Sequence, residues 1–216
     1  MELSDSEVKK AQQQRNKLVN QIWKLAEAGD IPKLEKYLKA KAIPVDYLDA
    51  DAATALTIAA GRGLLTAVKN LVFLGAKVDR APGSRFVPLN SAGGYGHDDI
   101  VKFLISSGAD VNAELTPGFP LLRCYIHHAP CISTTKLLLD AGANARFVDE
   151  NGWTLLMEAA WWKRPDEKDD IRIMELLIEH GANASAIDKR GRTALDIATT
   201  RGNEEHAAFL RQVRPK

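Results

Sequence analysis

Gly96-His97-Asp98-Asp99-Ile100-Val101-Lys102-Phe103-Leu104, completed by Gly108-Ala109-Asp110-Val111-Asn112, is the stretch from which the architecture can be read. Its apolar residues Ile100, Val101, Phe103 and Leu104 fall at helical spacing. A glycine stands where a helix could stop, at Gly108. The Gly-Ala pair recurs at Gly75-Ala76, Gly142-Ala143 and Gly181-Ala182, so the intervals between successive pairs are 33, 34 and 39 residues. A second marker precedes each one. Thr54-Ala55-Leu56, Val87-Pro88-Leu89, Phe119-Pro120-Leu121, Thr154-Leu155-Leu156 and Thr193-Ala194-Leu195 are spaced by 33, 32, 35 and 39 residues. Two independent markers with nearly one period identify an internal repeat.

Each unit reads alike inside. Small residues follow the second marker, at Ala59-Ala60, Ala92-Gly93, Ala159-Ala160 and Ala198-Thr199, where a short first helix fits. Gly63, Gly96 and Gly202 then offer a left-handed stop. A second apolar-periodic segment follows, as in Val68, Leu71, Val72 and in Ile173, Met174, Leu176, Leu177, Ile178. These residues, with Asp149-Glu150-Asn151-Gly152-Trp153-Thr154-Leu155-Leu156, resemble the ankyrin repeat family over roughly residues 21–210. The resemblance implies an all-α solenoid of about six stacked helix-turn-helix units with polar capping repeats at both ends. The register places them at about 18–48, 49–81, 82–113, 114–148, 149–187 and 188–216, forming one domain over 18–216. Residues 1–17 read as a polar N-terminal extension that frays or adds a helical turn or two. The end units need a polar outer face, which Lys33, Lys36 and Lys39 supply at one end and Glu204, Glu205, Arg211 and Arg214 at the other.

The chain departs from the family pattern at several places. The family's histidine after Thr-Pro-Leu is replaced by Thr57, Asn90, Leu122, Met157 and Asp196. That removes hydrogen bonds between adjacent loops and predicts a less stable array. Two extra residues fall near His128-Ala129-Pro130 and six within 161–170.

Composition narrows the function. The 216 residues carry 29 Lys and Arg against 28 Asp and Glu, a net charge of +1, which argues against binding nucleic acid or an anionic membrane by bulk electrostatics. No window approaches the roughly 18 consecutive apolar residues of a membrane span. Two cysteines cannot build a disulfide framework. The first seventeen residues contain no apolar stretch, so the expectation is no cleaved signal and a cytoplasmic protein, monomeric in isolation.

The resemblance implies a surface that binds another protein through turn tips and the exposed ends of first helices, on the concave face over repeats three to five. The residues at those positions include Arg62, Phe86, Tyr95, Ile126, His127, Trp153, Trp161, Trp162, Arg192 and Arg201. Of fourteen Phe, Tyr and Trp residues, five fall there, and aromatic side chains are the usual interface anchors. Lys189 and Arg190 add positive charge, so a partner with an apolar anchor and an acidic flank fits. Local packing competes with this reading, because Trp161 and Trp162 open the insertion and Phe86 stands beside an altered turn. A dedicated inhibitor or immunity protein and an adaptor are both compatible with such a surface.

The rival chemistry is Cys124-x-x-His127-His128-x-x-Cys131, four zinc-type ligands in eight residues that would have to converge tetrahedrally. Its register opposes this, and the preferred reading has no metal and no cofactor. Gly61-Arg62-Gly63 and Gly93-Gly94-Tyr95-Gly96 do not complete a dinucleotide loop. No catalytic constellation stands out, so the chain reads as a non-enzyme. Asp49, Asp149 and Asp188 at repeat starts are expected to accept turn hydrogen bonds.

Overall fold

The structure, a computed structural model, describes residues 4–127, 131–162 and 167–213. Twelve helices lie among the described residues, paired as the period requires. The chain divides into two compact units, residues 1–110 and 111–216.

The first unit holds α1 (Asp5–Glu27), α2 (Ile31–Lys41), α3 (Ala55–Gly61), α4 (Leu65–Phe73), α5 (Pro88–Gly94) and α6 (Asp98–Ser106). First helices stack on first helices, α1 on α3 and α3 on α5, with α4 and α6 packed behind them. The seam between first helices is made of small side chains, Ala59, Ala60, Ala92 and Gly93, all buried. Small residues let helix backbones approach closely, while Val68, Leu71, Ile100 and Leu104 fill the space toward the second helices.

Of the polar stretch 1–17, read as fraying or adding a helical turn or two, residues from Asp5 onward are helical and begin a 23-residue helix. Ser4 and Glu7 form a capping box: the Ser4 Oγ accepts the Glu7 N–H at 3.4 Å and Glu7 accepts the Ser4 N–H at 2.9 Å. Its inner face is buried only from Leu18 onward, at Leu18, Val19, Ile22, Leu25 and Ala26. Asn16, within the stretch read as an extension, accepts the N–H of Ala50 at 2.9 Å and so ties α1 to the next repeat's turn.

The second unit holds a short antiparallel pair, β1 (Glu114–Thr116) and β2 (Phe119–Pro120), then α7 (Leu121–His127), α8 (Ile132–Asp140), α9 (Leu155–Trp161), α10 (Glu167–Glu179), α11 (Ala194–Arg201) and α12 (Glu204–Gln212). Again α9 stacks between α7 and α11, and α10 between α8 and α12. The all-helical expectation omitted the small β pair, which replaces the aspartate turn of other repeats.

The starts of the first helices follow from their sequence. Thr54, Thr154 and Thr193 cap α3, α9 and α11, each accepting the backbone N–H three residues on. Pro88 opens α5 at a position where no N–H is required. Asp49, Asp149 and Asp188 each accept two turn N–H groups through Oδ1 at 2.8–2.9 Å. Adjacent loops are tied by other hydrogen bonds. Asp46 accepts the Lys77 N–H at 3.1 Å, Asp79 that of Asp110 at 2.8 Å, and Asn112 that of Asn144 at 2.8 Å. At the ends, Lys33, Lys36, Lys39, Glu204, Glu205 and Arg211 are exposed, while Arg214 lies outside the described residues.

Candidate functional site

The second unit carries a cleft of about 530 Å³ along the exposed ends of its first helices. Two turns and two helices build it, with Arg201 of a third helix over its Trp161 wall. The last turn of α7 presents Arg123 and His127, four residues apart and so on one helix face. The end of α9 presents Glu158 and Trp161, with Trp162 at its C-cap. The Asp149 turn contributes Trp153, the Asp188 turn contributes Lys189, Arg190 and Arg192, and Arg201 closes α11.

Glu158 is the hub. It is 5% exposed, yet it accepts from five donor atoms. Arg123 donates to Oε2 from Nε at 3.3 Å and from Nη2 at 3.1 Å. The Trp153 indole N–H reaches the same oxygen at 3.1 Å. On Oε1, His127 Nδ1 lies at 2.7 Å and the Trp162 indole N–H at 3.1 Å. Burial pushes the Glu158 carboxyl up, but the hydrogen bonds from His127 and Trp162 and the charges of Arg123 and His127 outweigh it and hold the group below the usual glutamate range.

The aromatic rings are fixed by this hub and by each other. His127 and Trp162 meet edge to face at 4.8 Å between centroids, and Trp153 and Trp161 do so at 5.8 Å. Arg201 lies over the Trp161 ring at 4.2 Å, and Arg192 over Trp153 at 5.7 Å. Arg192 also pairs with Asp188 at 2.7 Å. The Arg192 backbone N–H, together with its side chain, holds the Asp188 carboxyl below its ordinary range despite partial desolvation. All three tryptophans are half-buried.

The first unit has a shallower groove of about 660 Å³, lined by Ile58, Arg62, Phe86, Ser91 and Tyr95 among others. Tyr95 is 75% exposed and Phe86 42%. Arg62 lies over the Trp23 ring at 4.6 Å.

The expected contact residues thus fall into two sets, one in each unit. Arg62, Phe86 and Tyr95 line the groove of the first. His127, Trp153, Trp161, Trp162 and Arg192 line the cleft of the second, with Arg201 over its Trp161 wall. Ile126 needs correction. It is fully buried on the inner stripe of α7 with Leu121, Leu122 and Tyr125, one turn beyond Leu122, so it packs the repeat and presents nothing to a partner. Glu158, Arg123, Asp149 and Asp188 were not among the expected residues.

For the cysteine and histidine cluster, His127 is engaged by Glu158 and His128 lies outside the described residues. Cys124 is half-buried, and burial pushes its thiol pKa up. The Cys131 sulfur accepts the Thr134 hydroxyl at 3.2 Å. Among the described residues no three His, Cys, Asp or Glu side chains converge as a metal site.

A stack of helix pairs joined by capped turns, with side chains gathered along the ends of first helices, defines a repeat protein of the helix-turn-helix solenoid class. The family model for ankyrin repeats, in three copies, matches residues 22–114 and again 127–215, and the chain belongs to the ankyrin repeat family. It is similar to the mouse protein phosphatase 1 regulatory subunit 27, with 33% identity over 90 residues, 42% of this chain and 58% of that protein. The matched part therefore spans less than two thirds of that relative. Among solved structures, the ankyrin repeat protein EF0377 matches with a TM-score of 0.73 and 27% identity, covering 91% of this chain and 98% of that one. An ankyrin repeat domain from Acinetobacter baumannii AYE matches at 0.71 and 28%, covering 88% and 95%. Ankyrin repeats are in general protein-protein interaction modules. Among the described residues no helix is long and apolar enough to cross a membrane.

Proposed function

We propose that this protein is a non-catalytic module that binds another protein, and that the cleft along α7, α9 and α11 is its principal anchor. The observation that carries this reading is the fixing of three half-buried tryptophans around the buried Glu158, with a cleft left open above them. Side chains already held in one arrangement lose little entropy on binding, and tryptophan and arginine dominate binding hot spots. The expected concave face over repeats three to five is accordingly shifted to repeats four to six, with the groove at Phe86 and Tyr95 in the first unit as a secondary contact. Similarity to a phosphatase regulatory subunit favours a dedicated regulator of one partner over an adaptor, and makes a protein phosphatase catalytic subunit one candidate partner.

The test is affinity capture from the native organism's lysate with three baits: the wild type, Trp161→Ala with Trp162→Ala, and Phe86→Ala with Tyr95→Ala. Circular dichroism checks that each is folded. A protein retained by the wild type and lost with the tryptophan pair is the expected result. Retention by all three baits would remove both surfaces from the reading. Failure of the wild type to retain any protein would count against a binding module.

A further inference from the structure

We propose that the cleft of the second unit takes an acidic segment of a partner protein, with a side-chain carboxylate at the Lys189–Arg190 rim and an apolar side chain against Trp161 and Trp162. This rests on the protein-binding reading of the same cleft and adds the chemistry of its occupant.

Among the described residues, each carboxylate that lines the cleft already has N–H and cationic partners. Glu158 accepts from Arg123, His127, Trp153 and Trp162. Asp149 accepts two turn N–H groups on Oδ1 and faces the Arg123 guanidinium at 3.5 Å on Oδ2. Asp188 accepts two turn N–H groups and both arms of Arg192. The cations are not so matched. The exposed side chains of Lys189 and Arg190 have no hydrogen-bond or ion-pair partner among the described residues, and Arg201 faces the Trp161 ring and no carboxylate. An ammonium or guanidinium can only donate, so what these groups lack is an acceptor.

The charge balance agrees. Among the described residues four cationic side chains (Arg123, Lys189, Arg190 and Arg192) line the cleft against three carboxylates, an excess of one, and Arg201 lies over its Trp161 wall. That excess suits one or two carboxylates. It does not suit a polyphosphate backbone, whose grip needs many neutralised charges. A cationic ligand is disfavoured too, because the unpaired Lys189 and Arg190 side chains at the rim would repel it. The volume, about 530 Å³, has room for a few side chains of a partner segment.

The test is selection of a displayed random dodecapeptide library on the intact chain, run in parallel on Lys189→Glu with Arg190→Glu and on Lys189→Gln with Arg190→Gln. These exposed turn side chains make no contact that the fold uses, so the variants are expected to fold as the wild type does. The peptide most enriched on the wild type is then titrated by tryptophan fluorescence, beside its Glu→Gln and Glu→Lys analogues. The expected result is enrichment of acidic peptides with an apolar residue. Affinity should fall by about tenfold or more on charge reversal and on Glu→Gln substitution, and weaken as salt rises. Enrichment of neutral or basic peptides, no enrichment, or affinities within about twofold across the variants would overturn the proposal. A phosphoserine analogue binding far more tightly than the glutamate peptide would overturn the carboxylate assignment. The charge-reversed chain also serves as a bait in the lysate capture. A partner kept by that bait and by the wild type would leave the binding function standing while overturning the acidic occupant.

Discussion

Replacing Glu158 by Gln keeps the shape of the hub but removes its charge and turns one of its acceptor oxygens into a donor. The amide has two ways to sit. With its oxygen toward Arg123 and Trp153, the new NH2 faces His127 and Trp162, where Oε1 had accepted at 2.7 and 3.1 Å. His127 can then accept through its other tautomer, but the Trp162 N–H has nothing left to donate to. The opposite orientation is worse, since it confronts both Arg123 donors and Trp153 with an NH2 group. One orphaned donor costs about 1–3 kcal/mol, and weakening the charge-assisted bonds from Arg123 costs about 1 kcal/mol more. The expected loss at pH 7 is therefore about 2–4 kcal/mol, or roughly 5–15 °C in Tm for a chain of this size. Urea denaturation followed by tryptophan fluorescence measures it. The pH dependence supplies a second check. The folded carboxyl titrates below the usual glutamate range, so the charge contributes fully above the unfolded value, about 4.3, and is lost as pH falls through the lowered folded value. The gap between wild type and variant should persist from neutral pH to near pH 5 and narrow as the carboxyl is protonated on further acidification. A gap below about 0.5 kcal/mol at pH 7, or one that does not narrow below about pH 4, would refute the hub.

Three further outcomes follow from the same geometry. At Gly63, φ is +73° and a Cβ would lie 2.7 Å from the His97 ring, so Gly63→Ala should cost about 2–3 kcal/mol, falling to about 1 kcal/mol in a His97→Ala background; costs that simply add in the denaturation cycle would exclude the clash. Ile126→Ala should lose about 2–5 kcal/mol of stability with partner affinity unchanged, and the reverse pattern would make Ile126 a contact residue after all. Asn203→Ala removes an amide that donates to the Ala160, Trp161 and Trp162 carbonyls at 2.9, 3.3 and 3.3 Å; it should cost about 2–3 kcal/mol and speed amide exchange around Trp161 and Trp162, and unchanged exchange would contradict its role in holding the end of α9.

The fold was legible because a stack repeats its signal: markers at 32–39-residue intervals report helix pairs whatever each residue does locally. Single local features were harder to read. The Ser4–Glu7 capping box lay inside a polar stretch with no apolar period, since α1 projects beyond the part that buries anything. Ile126 and Trp161 hold the same place in consecutive repeats, yet one is buried and the other half-exposed. Position in the repeat therefore does not fix exposure where the loop between helices changes length. Aromatic content found the walls of the cleft, because tryptophan near a helix end is conspicuous. It could not find the carboxylate that holds them, which sits among Met157, Ala159 and Ala160 as if it were core.

A signal for that carboxylate was nonetheless present, across the stack instead of along the chain. Arg123 and Glu158 are 35 residues apart, the same interval as Phe119 and Thr154, so they occupy one column in adjacent repeats. Residues in one column meet when repeats stack, and opposite charges there predict an ion pair, found at 3.1 Å. His127 and Trp162 share the next contact column, again 35 apart, and their rings meet at 4.8 Å. In the first unit the column of Arg123 and Glu158 holds Ile58 and Ser91, which offer no charge to fix an aromatic ring. Tyr95 accordingly stands 75% exposed, stacked only on His97 at 6.4 Å. Two grooves with comparable aromatic content thus differ in how firmly their walls are held. In the proposed complex the second unit's rings, already held by Glu158 and by each other, would lose little freedom, whereas Phe86 and Tyr95 would have to be ordered by the partner, at about 0.5–1.5 kcal/mol per side chain. That difference is the physical reason to place the binding anchor at the tryptophans and to expect the first unit's groove to add contact area with less affinity.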